Sequence, residues 1–158
     1  MLLVVLLCGI GVQAQKKKTP KTKTQKQTVV YDSLLAKKLG ADEYGMKKYV
    51  LAFLKPGSTK IDDQEKLFDI RQAHLKFITN LEQTGELIVS GPFMDVQPLL
   101  GIFVFNVVSV DDAKKLTEGD PAVKEGALSY EFHPWYGSAA LIENAKLHTK
   151  IAKRKVAQ

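Results

Sequence analysis

Tyr49-Val50-Leu51-Ala52-Phe53-Leu54 is an unbroken apolar run set between Lys48 and a Lys55-Pro56-Gly57 turn. A strand with one wet face would alternate apolar and polar side chains. This run does not alternate, so it reads as a strand buried on both faces and therefore central in its sheet. Downstream, Asp62 followed three residues later by Glu65 has the capping-box pattern. It opens a helix with apolar positions at Leu67, Ile70, Phe77, Ile78 and Leu81, which Gly85 stops. Leu87 to Ser90 is a short strand ended by Gly91-Pro92, and Ile102 to Val108 is a second doubly apolar strand. Ser109 caps a helix over Val110 to Thr117, with Asp112 favouring its positive end. Asp120-Pro121 restarts a helical turn that Gly126 ends. Leu128 to Phe132 alternates apolar with polar, and the His133-Pro134 that follows belongs on a sheet edge.

The order is β-α-β-β-α-β, so the fold class is α+β, the ferredoxin-like arrangement of one antiparallel sheet with both helices on one face. The second sheet face is then left bare. A domain of about 90 residues has a modest core, and pairing that face with a second copy is the economical solution, so a homodimer is expected. The alternative is that the N-terminal segment or the tail folds back over it. The spacing of Leu141, Ile142 and Ala145 is compatible with a docking helix.

The ends differ from the middle. Residues 2–11 are apolar, too short a run to span a bilayer, and lead into Val12-Gln13-Ala14, a small-residue cleavage pattern. Residues 1–14 therefore read as a signal peptide, although no basic residue precedes the run, and the expected location is secreted or periplasmic. The one cysteine, Cys8, leaves with that segment, so the mature chain has no thiol or disulfide and no transmembrane segment is expected in it. Residues 15–28 carry six lysines, no acid and no large apolar side chain, and read as a flexible linker. Residues 29–45 form an N-terminal extension with a short helix through Leu34, Leu35 and Leu39. The remaining divisions are the domain at 46–136 and a basic, helical tail at 137–158. The net charge of +6 belongs to these flanks: without residues 15–28 and 139–158, 12 basic residues face 16 acidic ones. Nucleic-acid binding requires basic charge on the folded face that meets phosphate, so it is not expected here.

No Gly-rich phosphate loop, nucleophile elbow or metal-spaced cluster is present. The chemistry-bearing residues are His74, seven residues after Leu67 and seven before Leu81 and so on their helix face, and two later carboxylates, Asp95 and Asp120. A partly buried imidazole beside a carboxylate acts as a general acid or base; a lone histidine on an apolar stripe is more often a core residue satisfied by a hydrogen bond. Asp120 before Pro121 is fully explained as a helix cap, whereas Asp95 has no capping duty. Arg71, one turn before His74, either binds an anionic substrate or pairs with Glu65 or Asp69.

The series Arg71-x-x-His74-Leu75, Ser90-Gly91-Pro92, Gly101, Ala113, Leu116, Asp120-Pro121, Gly126 and Pro134-Trp135 resembles the YciI-like, or YCII-related, domain family. That resemblance implies a ferredoxin-like protomer that dimerises into an α/β barrel, with a pocket near His74. It also implies a His/Asp pair, His74 with Asp120 or Asp95, working on a small organic molecule without metal or organic cofactor, by elimination, isomerisation or hydrolysis. Trp135 and Arg71 are the candidate substrate contacts, together with Phe93 from a loop, Phe93 to Leu100, that is more apolar than the family's. The alternative is a noncatalytic dimeric module that binds a ligand or serves as a scaffold.

Overall fold

In the computed structural model, residues 30–95 and 98–154 are described. The expected signal peptide and linker lie outside them. The body begins with helix α1 (Ser33–Leu39), capped by Asp32 and closed at Gly40. Strand β1 (Met46–Pro56), helix α2 (Gln64–Thr84), strands β2 (Leu87–Pro92) and β3 (Gly101–Phe105), helices α3 (Val110–Thr117) and α4 (Pro121–Lys124), and strand β4 (Leu128–Ser138) follow in turn. A 3-10 helix (Ala139–Glu143) and helix α5 (Asn144–Ile151) complete it. The sheet order is β2-β3-β1-β4 with every neighbouring pair antiparallel, and the architecture is ferredoxin-like. The apolar run in β1 is central, as its composition requires.

The local signals hold with shifts of a residue or a few. The cap of α2 is Asp63, whose carboxylate accepts from the N–H groups of Glu65 and Lys66 at 3.0 and 3.2 Å, and not Asp62, which pairs with Lys60. β3 ends at Phe105 rather than Val108. Asn106 there turns its side chain to Lys47 Nζ (2.7 Å) and the Gly85 carbonyl (3.4 Å), and Val108 is exposed. β2 runs on through Gly91-Pro92, and β4 continues to Ser138, paired with β1 along its whole length. Pro134 is accommodated because β4 is an edge strand and a missing N–H costs nothing on the outer side.

Alternation in β1 sends Val50, Ala52 and Leu54 toward α2 and α3, where they meet Phe103, Phe105, Leu87, Ile70, Leu81, Ala113, Ala122 and Leu128 in the main core. Tyr49 and Leu51 point the other way, with Ile88 and Val104. That second face is not bare: Leu141 and Ile142 of the 3-10 helix pack on it, the fold-back that the tail spacing allowed. Asn144 Nδ2 donates to the Ile88 carbonyl at 3.0 Å, and the Tyr49 hydroxyl donates to the Ser138 carbonyl at 3.0 Å, pinning the tail's start. Among the described residues no helix is long and apolar enough to cross a membrane.

Candidate functional site

His74 lies mid-way along α2 on its inward face, its ring stacked on Phe103 of β3 with centroids 6.2 Å apart and planes 11° from parallel. Asp120 comes from the turn between α3 and α4. Pro121 sets the first helical position there and removes an N–H that would have no partner, and the Asp120 carboxylate caps α4 by accepting from Ala122 N–H at 2.9 Å. The same carboxylate is wholly buried and lies 3.0 Å, through each oxygen, from His74 Nδ1. A third donor, the Tyr130 hydroxyl, reaches Oδ2 at 2.6 Å.

These donors define the protonation pattern. Burial pushes the Asp120 carboxyl up, but the hydrogen bonds from His74 and Tyr130, the attraction of the imidazole and the Ala122 N–H together hold it below its ordinary value. Burial, then the hydrogen bond to Asp120 and its negative charge, push the Tyr130 phenol far up, so it stays a donor. An ionised carboxylate only accepts, so the network assigns a proton to His74 Nδ1, and in the neutral ring the lone pair is then on Nε2. Among the described residues no hydrogen bond reaches Nε2, and the His74 side chain is 14% exposed. An imidazole held in this way can accept a proton at Nε2 while Asp120 balances the charge that forms at Nδ1.

The other candidates are not gathered around this pair. Asp95 is an exposed residue of the β2–β3 loop and makes no hydrogen bond to His74. Arg71 is exposed and makes no ion pair among the described residues, so the expected pairing with Glu65 or Asp69 is absent: the helix turns it toward water. Phe93 is partly exposed just beyond β2, its N–H bonded to the Leu100 carbonyl at 3.0 Å. Trp135 projects from the sheet face opposite His74, tilted against Tyr49 at 5.8 Å, and helps line a shallow cleft of about 330 Å³ with Lys48, Val108, Pro134 and Tyr136. A second cleft, of about 270 Å³, lies along Thr117, Val123, Leu128, Tyr130 and Phe132, and meets the pair only through Tyr130. Neither cleft contains His74. His133 is exposed and bonded to Glu131, and His148 is exposed on α5.

Tyr130 is the residue that sequence reading passed over. Its signal was present: it falls on the inward register of an alternating strand, between Leu128 and Phe132, and a buried tyrosine hydroxyl needs a polar partner. Among the described residues no three His, Cys, Asp or Glu side chains are grouped closely enough to hold a metal ion.

A comparison with curated proteins finds no match. Among solved structures the chain is similar to 5-chloro-2-hydroxyhydroquinone dehydrochlorinase from Burkholderia phenoliruptrix AC1100, in complex with 2,5-dihydroxybenzoquinone. The two share 21% sequence identity with a TM-score of 0.42, over 55% of this chain and 92% of that one. The family model of the YCII-related domain matches residues 46–136, which begin with the first residue of β1 and end within β4. With that match spanning more than half of its length, the chain belongs to the YCII-related domain family.

Proposed function

We propose that this protein is a cofactor-independent enzyme that moves a proton on a small organic molecule, with His74 Nε2 as the general base and acid and Asp120 as the group that orients and charges its ring. One observation carries the reading: a wholly buried carboxylate bonded through both oxygens to Nδ1, on a partly exposed ring whose Nε2 has no hydrogen-bond partner among the described residues. A histidine kept only for packing has no need of an ionised partner, because burying a charge costs several kcal/mol before it is repaid. In the proposed step neutral His74 takes a proton from an acidic C–H or O–H of the substrate, and the imidazolium returns it to a neighbouring atom or to a leaving group. The substrate's reacting atom must come within about 3 Å of Nε2. Arg71 and Phe93, both reachable from solvent, are the proposed contacts for the rest of the molecule. We also propose a homodimer through the part of the second sheet face that the tail leaves open, and export directed by residues 1–14.

Solvent-proton exchange tests this step across whole compound classes at once. Wild type and His74→Asn are incubated in D2O with small lactones, phenols, quinones and keto acids, and solvent deuterium entering C–H positions is followed by proton NMR. The expected result is exchange on at least one compound class, reduced about 100-fold or more by the substitution. Compounds that bind with no exchange, or exchange equal in both proteins, would replace this reading with the noncatalytic ligand-binding one.

A further inference from the structure

We propose that Tyr130 is a positioning residue that locks the His74–Asp120 pair into one tautomer and one orientation. The inference rests on the proposed acid-base role of His74 and extends it to a residue on a different strand. A carboxylate offers about four lone-pair sites. At Asp120, Oδ1 serves Ala122 N–H and His74 Nδ1, while Oδ2 serves His74 Nδ1 and the Tyr130 hydroxyl. Without the phenol, Oδ2 would hold its plane through a single shared hydrogen bond, and the carboxylate could rock about its Cβ–Cγ bond.

The aromatic packing makes the lock rigid. Tyr130 sits 5.6 Å from Phe103 and 5.7 Å from Phe132, centroid to centroid, and Phe103 is also the surface on which the His74 ring lies. Both side-chain donors to Asp120 are therefore braced against the same buried side chain, which is 2% exposed. The ring of Tyr130 reaches this place because Leu54 pairs with it across β1 and β4, which fixes the strand register that points its hydroxyl at α4. The geometry closes a loop, from His74 to Asp120 to Tyr130 to Phe103 and back to His74, through hydrogen bonds on one side and ring contacts on the other.

The function of the lock is to keep the proton at Nδ1. If Oδ2 swings away, Nδ1 loses one of its two acceptors and the Nε2–H tautomer, which is the more favourable form in free imidazole side chains, competes. In that form Nε2 is a donor and cannot act as a base until the proton has moved. A loss of turnover rate with little change in substrate affinity follows, because the fraction of enzyme in the competent form falls while the binding surface is untouched.

The test is the long-range 1H–15N NMR spectrum of His74 at a pH where the ring is neutral, in the full chain, for wild type, Tyr130→Phe and Phe132→Leu. Wild type is expected to show a single Nδ1–H tautomer, and Tyr130→Phe an exchange-averaged mixture. Phe132→Leu disturbs the packing of the same strand and is expected to retain the wild-type pattern. Tyr130→Phe keeps the ring and its packing, and its retained fold is checked by the dispersed methyl spectrum. If wild type is in the Nε2–H form, the acid-base reading itself fails. If wild type is Nδ1–H and Tyr130→Phe is unchanged, or Phe132→Leu shows the same mixture, the positioning role of Tyr130 is overturned and the acid-base reading stands.

Discussion

Asp120 does two jobs with one carboxylate. Sequence reading offered the helix cap and the partner of His74 as alternatives, and the geometry contains both, because one oxygen serves Ala122 N–H while each oxygen faces Nδ1. Its depressed pKa makes a statement about stability. The unfolded carboxyl titrates near its ordinary value of about 3.9 and the folded one lower, so its contribution is complete above about pH 4 and is lost as pH falls through the lower, folded value. Urea unfolding from pH 6 down to pH 3 is therefore expected to find Asp120→Asn less stable than wild type at pH 6, with the gap closing as the solution is acidified. A gap that stays constant would mean that Asp120 is not ionised in the folded protein.

At the scale of elements, most boundaries were legible because they depend on residues within four positions of one another. The exceptions are informative. The motif Asp62-x-x-Glu65 suggested the wrong cap because Asp63 also precedes the apolar stripe, and only the backbone path decides which carboxylate meets the free N–H groups. Asp63→Ala is expected to cost about 1 kcal/mol and Asp62→Ala close to nothing, which thermal melts of the two variants would separate. Equal losses would mean that Asp62 shares the capping role. After β1, Gly57 donates to the Ala127 carbonyl at 3.0 Å, and a side-chain carbon at Gly57 would collide with the Gly126 carbonyl. That carbonyl is itself fixed by Thr59 N–H at 2.9 Å and cannot retreat cheaply. Gly57→Ala is accordingly expected to destabilise by about 2 kcal/mol, read as a lower denaturant midpoint, and a neutral result would show that this turn yields easily.

For the molecule as a whole, the tail changes what the domain presents to its surroundings. Leu141 and Ile142 cover Tyr49, Ile88 and Val104, and Asn144 secures them to β2. A chain ended at Ser138 would expose that apolar strip. It is expected to melt lower, since full burial of one such side chain is worth about 1.5–3 kcal/mol, and to sediment as larger species than the full-length chain. An unchanged melt and mass would make the tail an ornament of the sheet rather than its cover. Alternation, helical spacing and end-capping residues were enough to read the order of the main elements and the ferredoxin-like class, and the resemblance to the family added His74 with Asp120 or Asp95 as a candidate pair. Each of those is written in a few neighbouring residues. That Asp120 and not Asp95 meets the ring, that Tyr130 completes its shell, that Trp135 lies on the opposite sheet face, and that the tail lies on the second face were not legible. These outcomes join residues 46 positions apart in His74 and Asp120, or 56 apart in Ile88 and Asn144. Contacts at such separations follow from how helices and strands dock, which is the summed packing of the core and not the property of any short segment.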